Sequence, residues 1–295
     1  MSFEQYVIEY DLGSIEKNKT FKELTTIGCG GNIKVLFSPN SIECLCKAFK
    51  YINDNNLKYF ILGNGSNVLA SDEFFDGIVI NLRKQKYDFY VEEDILFVSA
   101  FYPTVKLAYD LASLEIGDLS FLGGIPGLLG GAIYNNCGAY KQEISKSLIE
   151  VSYINNCGEI VNISNKECGF GYRNSIFHYV NSIIISAKFK IKRIDTKEIL
   201  DKRRKERLLS QPLDTKNMGS IFKNNPLIPA WKIIDSLGLR GFRIGDAAIS
   251  SKHANFIINM GNAKFNDIYN MINLIEKRSL NEYGIKLVSE ITYVK

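Results

Sequence analysis

Residues 121–140 constrain this chain more than any other stretch. They read Phe121-Leu122-Gly123-Gly124-Ile125-Pro126-Gly127-Leu128-Leu129-Gly130-Gly131-Ala132-Ile133-Tyr134-Asn135-Asn136-Cys137-Gly138-Ala139-Tyr140, with six glycines and no charged side chain. Glycine permits positive φ and lets another group approach the backbone closely. A segment that gives up so many side chains is either a run of tight turns between strands or a surface on which something large lies. In the second case, concave main-chain N–H groups hold an anion such as a pyrophosphate without lysine or arginine.

A second segment of the same kind lies upstream. Residues 58–62 read as a short buried strand, and Gly63-Asn64-Gly65-Ser66-Asn67 follows at once. This is strand then glycine loop, but not a dinucleotide fingerprint. The third glycine is missing, Val68-Leu69-Ala70-Ser71-Asp72 opens no amphipathic helix, and no Gly-Lys-Ser/Thr ending marks a P-loop.

The net charge of +4 over 295 residues is too small and too dispersed for a nucleic-acid binder, and the basic run 202–207 sits in a helix-like segment. Six cysteines without a Cys-x-x-Cys pair, and two histidines far apart, indicate a reducing compartment and no metal site. The N-terminus shows no signal peptide, and no apolar run approaches the roughly 20 residues of a membrane helix, so a cytoplasmic protein is expected.

Helical spacing runs over 41–56, with Ser41 as N-cap and Ile42, Leu45, Phe49 and Ile52 on one side. Strands are predicted at 78–82, as hairpins over 87–100 and 148–163, and at 183–194; a helix begins at Pro103. A charged helix over 197–209 marks a change of composition, so the domain boundary is placed near 195. Beyond it come a helix over 229–237, a strand at 254–259, a helix at 265–283 and a strand at 287–294. Strands and helices alternate without strict βαβ periodicity, which favours an α+β fold.

Three polar residues stand out. Arg173 is the only charge in residues 168–177; its planar fork suits a carboxylate or phosphate, and it equally fits a surface arginine stacked on Tyr172. Ser220 follows Gly219 without a nucleophile elbow, and by itself reads as a turn serine. Glu290, on the strand face with Val288, Thr292 and Val294, is either a buried working carboxyl or a solvated one. His178 and His253 have structural roles by default.

Together these segments resemble the UDP-N-acetylenolpyruvoylglucosamine reductase family. The resemblance is carried along nearly the whole chain by Thr25-Thr26-Ile27-Gly28-Cys29-Gly30-Gly31, residues 62–69, Gly124-Ile125-Pro126-Gly127-Leu128-Leu129-Gly130-Gly131, and residues 136–140. It continues with Tyr172-Arg173-Asn174-Ser175, residues 219–224, 244–248 and 252–256, and Ser289-Glu290-Ile291.

The resemblance implies a two-lobed, PCMH-type FAD-binding region over 1–194, split near residue 80, and a smaller α+β substrate-binding domain over 195–295. The strand 287–294 would carry Glu290 back to the flavin cleft. FAD would be bound by Leu62, Gly63, Asn64, Gly65, Ser66, Asn67 and Leu69, and by Gly123, Gly124, Ile125, Pro126, Gly127, Gly130 and Gly131. Arg173, Ser220 and Glu290 would be catalytic, and Tyr172, Lys223 and Asn224 would contact the nucleotide substrate. NADPH would be the hydride donor, the partners would be small molecules only, and a monomer is expected. Departures fall at Leu128, Leu129, Cys137, Lys141 and Asn174, and the length resembles the subgroup lacking an extra tyrosine-bearing loop. Two rivals remain at this point: another flavoprotein of similar fold, and a nucleotide-binding module without catalysis.

Overall fold

The structure is a computed structural model describing residues 1–225 and 227–295. The chain divides into two compact units. The first comprises Met1–Lys17, Val35–Asn64 and Gly77–Arg204; the second comprises Asn18–Lys34, Gly65–Asp76 and Lys205–Lys295. This differs from a single boundary near residue 195. The physical reason is long-range pairing within the second unit: Thr292, Tyr293 and Val294 lie parallel to Val68, Leu69 and Ala70. Ile27, Cys29 and Leu69 also share a core with Met218, Ile221 and Phe222. No local pattern announces such pairings.

In the first unit a four-stranded sheet takes the order Gly13–Glu16, Ile33–Pro39, Phe75–Asn81, Tyr59–Leu62, two of whose strands begin in the other unit. Its last two strands are parallel. Ile42–Asp54 is the helix expected from the apolar spacing, and the Ser41 hydroxyl accepts from the Cys44 N–H at 3.1 Å. Leu45, Ala48, Phe49 and Ile52 are buried, whereas Ile42, in the first turn, is left exposed. These side chains join Phe3, Val7, Phe37, Ile80 and Leu128 in one core.

A five-stranded antiparallel sheet, in the order Ile160–Ser164, Leu148–Ile154, Ile183–Lys190, Ile95–Ser99, Phe89–Glu92, forms the other half of this unit. Both hairpins fall where alternation and turn residues put them. Pro103 caps the helix Thr104–Ala112 from an extended conformation rather than opening it. Proline's fixed φ suits that place, and its missing N–H costs nothing there.

The second unit holds a four-stranded antiparallel sheet, Lys216–Asn217, Ile257–Asn259, Ala247–Ile249, Arg243–Ile244. The helices Ala230–Ser236 and Phe265–Tyr283 contribute Ile233, Ile234, Ile268, Met271, Ile272 and Ile275 to its core. Gly284, at φ +67°, ends the longer helix in the left-handed conformation that glycine adopts without strain. The strand expected over 287–294 is shorter, Thr292–Val294. Before it, Ser289 makes only an isolated bridge with Phe222, and Val288 is exposed rather than sharing a face with buried Val294. No helix among the described residues is long and apolar enough to cross a membrane.

Because the Ser41 hydroxyl satisfies an N–H that the helix itself cannot, Ser41→Ala should lower unfolding free energy by about 1 kcal/mol. Urea unfolding of the two proteins checks this; equal midpoints would remove the cap from the account.

Candidate active site

The glycine-rich stretch is neither a string of turns nor an irregular loop. It forms a short 3₁₀ helix, Ser120–Gly124, an extended link, and the helix Leu129–Tyr134. Residues 100–104 pin it in place. Leu129 N–H donates to Tyr102 O at 2.9 Å, Gly130 N–H to Ala100 O at 2.7 Å, and Thr104 N–H to Gly127 O at 3.0 Å. A Cβ on Gly130 would stand 3.3 Å from that of Ala100, whereas one on Gly131 would meet nothing within 4 Å. Gly130 is therefore glycine for packing, and Gly131 borders open space. Among the described residues the N–H groups of Gly127 and Leu128 donate to no main-chain acceptor.

The loop 63–67 leaves the strand Tyr59–Leu62 and enters Val68–Ala70. Gly63 lies against the glycine-rich stretch, since a Cβ there would be 3.6 Å from Leu128 Cδ1. Within the second unit Gly65 has φ +65°, and a Cβ would fall 2.5 Å from Leu24 O and 2.9 Å from Thr25 Cα. Only glycine fits. The Gly65 carbonyl accepts from Thr26 N–H at 3.1 Å, and the Asn67 side-chain amide donates to Glu290 O at 2.8 Å. The N–H groups of Gly63, Asn64, Gly65 and Asn67 donate to no main-chain acceptor among the described residues. Leu62 and Leu69, at 1% and 0% exposure, are buried in the fold.

Arg173 has φ +54°, a conformation uncommon for a side chain of its size. Its Nη1 donates to Asn136 O at 3.3 Å and its Nη2 to Gly138 O at 2.9 Å. The guanidinium carbon lies 5.1 Å from the centre of the Tyr172 ring, so the stacked arrangement is present alongside a defined fork. Nearby, Tyr134 O accepts from Ser175 Oγ at 2.7 Å, and His178 Nε2 lies 2.9 Å from the same oxygen.

In the second unit Ser220 and Glu290 sit on adjoining segments. Glu290 N–H donates to Ile221 O at 2.9 Å, Lys223 N–H to Val288 O at 2.9 Å, and Ile221 N–H to Asn255 O at 3.0 Å. Asn255, buried to 3% exposure, adds a reciprocal pair: its amide donates to Phe222 O and its oxygen accepts from Phe222 N–H. Asn255 was not singled out individually from the sequence, although it lies in the 252–256 motif. A buried asparagine that satisfies both main-chain groups of one residue fixes the segment on which Ser220 and Lys223 stand. The Asn224 side-chain oxygen accepts from Ala230 N–H at 3.1 Å at the start of the following helix.

Cys29, in the first matching motif, is buried, and burial with the Asp72 carboxylate 3.8 Å from its sulfur pushes the thiol up to about 12. Burial and the charges of Arg240 and Arg207 lower His253, whose ring meets Phe256 edge-on at 4.9 Å. Among the described residues no group of three or more His, Cys, Asp or Glu could hold a metal ion.

Comparison with known proteins defines the class first. Residues 33–164 match the model of the FAD binding domain family. The structure of berberine bridge enzyme from Eschscholzia californica superposes with a TM-score of 0.51 at 12% identity, covering 75% of this chain and 52% of that one, so the fold alone is shared. The fold is thus the α+β, PCMH-type fold of flavoproteins.

Residues 211–294 match the C-terminal domain model of UDP-N-acetylenolpyruvoylglucosamine reductase. Reductases of that name from Carboxydothermus hydrogenoformans and Caldanaerobacter subterraneus are 38% and 36% identical, over 93% and 96% of this chain and 92% and 94% of theirs. The crystal structure of that reductase from Thermus caldophilus superposes with a TM-score of 0.79 at 29% identity, covering 96% of this chain and all of that one. The chain belongs to the UDP-N-acetylenolpyruvoylglucosamine reductase family.

Two outcomes follow from this geometry. Gly65→Ala should destabilise the fold by more than about 1 kcal/mol, since a side chain there is both strained and in collision; unchanged thermal melting would contradict that. In the unfolded chain Cys29 ionises near the ordinary thiol value of about 8.5, but the folded chain holds its proton to about 12. Its contribution to stability is therefore complete below about pH 8.5 and is lost as pH rises toward 12. Cys29→Ser should flatten the alkaline decline in unfolding free energy, and an identical decline would contradict the assignment.

Proposed function

We propose that the protein is an FAD-containing, NADPH-dependent reductase that converts the enolpyruvyl ether of UDP-N-acetylglucosamine to UDP-N-acetylmuramate in cell-wall precursor synthesis, working in the cytoplasm. The observation that carries this reading is the likeness, over more than nine-tenths of the chain, to reductases of that name.

The residues present fit FAD. Within the first unit Gly63 lies against Leu128, and neither glycine segment carries a charged side chain. Each also presents N–H groups that find no main-chain acceptor among the described residues. Such donors suit a pyrophosphate. We assign the FAD contacts to residues 62–67, 69, 123–127, 130 and 131.

When bound, FAD supplies hydride transfer from NADPH to the enolpyruvyl double bond. The chain's own residues handle the charge and the proton. Hydride arriving at C3 leaves negative charge on C2 and on the neighbouring carboxylate. Arg173 offsets that charge with a planar, permanently charged fork already oriented by two carbonyls. Glu290 helps hold the enol form, a role that requires it to hydrogen-bond or be protonated rather than repel. Ser220 gives its proton to C2; a hydroxyl is a weak acid, so the step works only against a strongly basic carbon where water is excluded. Tyr172, Lys223 and Asn224 contact the nucleotide portion of the substrate.

In Ser220→Ala, NADPH should still bleach the flavin under anaerobic conditions, while reoxidation by the enolpyruvyl substrate slows by about 10² or more. Unchanged reoxidation would remove Ser220 from the mechanism. A colourless protein that takes up no FAD would overturn the functional reading itself.

A further inference from the structure

Asn136 is the most completely used polar side chain near Arg173. It is 1% exposed, has φ +41°, and lies beside the glycine-rich stretch. Its amide nitrogen donates to Gly171 O at 3.0 Å, and its side-chain oxygen accepts from Ser145 N–H at 3.0 Å. Gly171 in turn exchanges two main-chain bonds with Asn174, at 3.0 and 3.2 Å, closing a tight turn with Arg173 inside it. The Arg173 side chain then returns to the main-chain oxygens of Asn136 and Gly138. The result is a closed ring: the Asn136 side chain holds the base of the arginine's turn, and the Asn136 main chain receives the arginine's tip.

A guanidinium at the end of several rotatable bonds aims nowhere by itself. Two neutral carbonyls fix the plane of the fork and themselves take none of its charge. The backbone turn beneath it must also be fixed, because a left-handed residue in an exposed turn can relax. Asparagine is suited to this place. It tolerates left-handed φ better than other side chains, and it offers a donor and an acceptor in one plane.

We propose that Asn136 is a positioning residue for Arg173, setting the direction of its guanidinium toward the substrate carboxylate; this rests on the reductase reading above. Asn136→Asp keeps the size and the acceptor for Ser145 but loses the donor to Gly171 O. Its FAD content and its rate of flavin reduction by NADPH should stay within about threefold of the parent, while reoxidation by the enolpyruvyl substrate slows by about tenfold or more. In an Arg173→Ala background the same substitution should add no more than about threefold, because the arginine it acts through is gone. Normal reoxidation in Asn136→Asp, or a full multiplication of the two effects, would overturn the inference.

If Asn136→Asp does not fold, Asn136→Gly, which also accepts left-handed φ, is measured in the same way. A readout independent of turnover is the ¹⁵N spectrum of arginine-labelled protein, assigned by comparison with Arg173→Ala. Distinct, slowly rotating Nη signals for Arg173 should merge in the Asn136 variant, and unchanged signals would overturn the inference. Should the parent protein fail to be reoxidised by the enolpyruvyl substrate, the reductase reading falls, while the spectrum still decides whether Asn136 positions Arg173.

Discussion

Main-chain N–H groups that donate to no main-chain acceptor among the described residues are the constraint on which the rest of this structure depends. A donor covered without an acceptor costs about 1–3 kcal/mol, so N–H groups gathered in this way suit an acceptor that arrives from outside. Here they cluster in two segments with no charged side chain, at Gly63, Asn64, Gly65 and Asn67 and at Gly127 and Leu128. Glycine is required for more than one reason: Gly65 turns left-handed against Leu24 O, Gly130 allows close packing on Ala100, and Gly131 leaves space open. Side chains could not have made the same surface.

Holding such segments still is the work of the surrounding elements. In the first unit, residues 100–104 receive or donate five of the bonds that fix 125–130, including two from the Thr104 hydroxyl, to Ile125 O and Gly127 O. In the second unit, one hydrogen-bonded cluster holds three functional segments together. Asn67 donates to Glu290 O, Glu290 N–H donates to Ile221 O, and Asn255 clamps Phe222 from the other side. Main-chain bonds and one buried asparagine thus place the segments that carry Ser220, Lys223 and Glu290. This is how short, irregular segments are held without long strands beneath them.

Elements whose signal is local were legible. The helix Ile42–Asp54 follows from a serine cap and apolar spacing, the hairpins from alternation and turn residues, and Phe265–Tyr283 from a long amphipathic pattern closed by Gly284. Elements that depend on distant partners were not. The helix Leu129–Tyr134 contains two glycines and forms because its start is held by Tyr102 and Ala100. The strand at the C-terminus is short because only Thr292–Val294 finds a neighbour in Val68–Ala70. The discontinuous second unit arises the same way. Of the site, residue types and motif order were readable. The tie between Asn136 and Arg173, and the clamp at Asn255, needed coordinates, because an asparagine's sequence neighbours do not reveal which distant carbonyl it will meet.

The central claim is that neutral main chain, not basic side chains, grips the flavin dinucleotide. The dissociation constant of FAD from the apoprotein, measured from about 0.05 to 0.5 M salt, tests it most directly. Contacts to neutral donors are only weakly screened, so affinity should change by about threefold or less. A fall of tenfold or more across that range would mean that lysine or arginine holds the pyrophosphate, and would contradict the account.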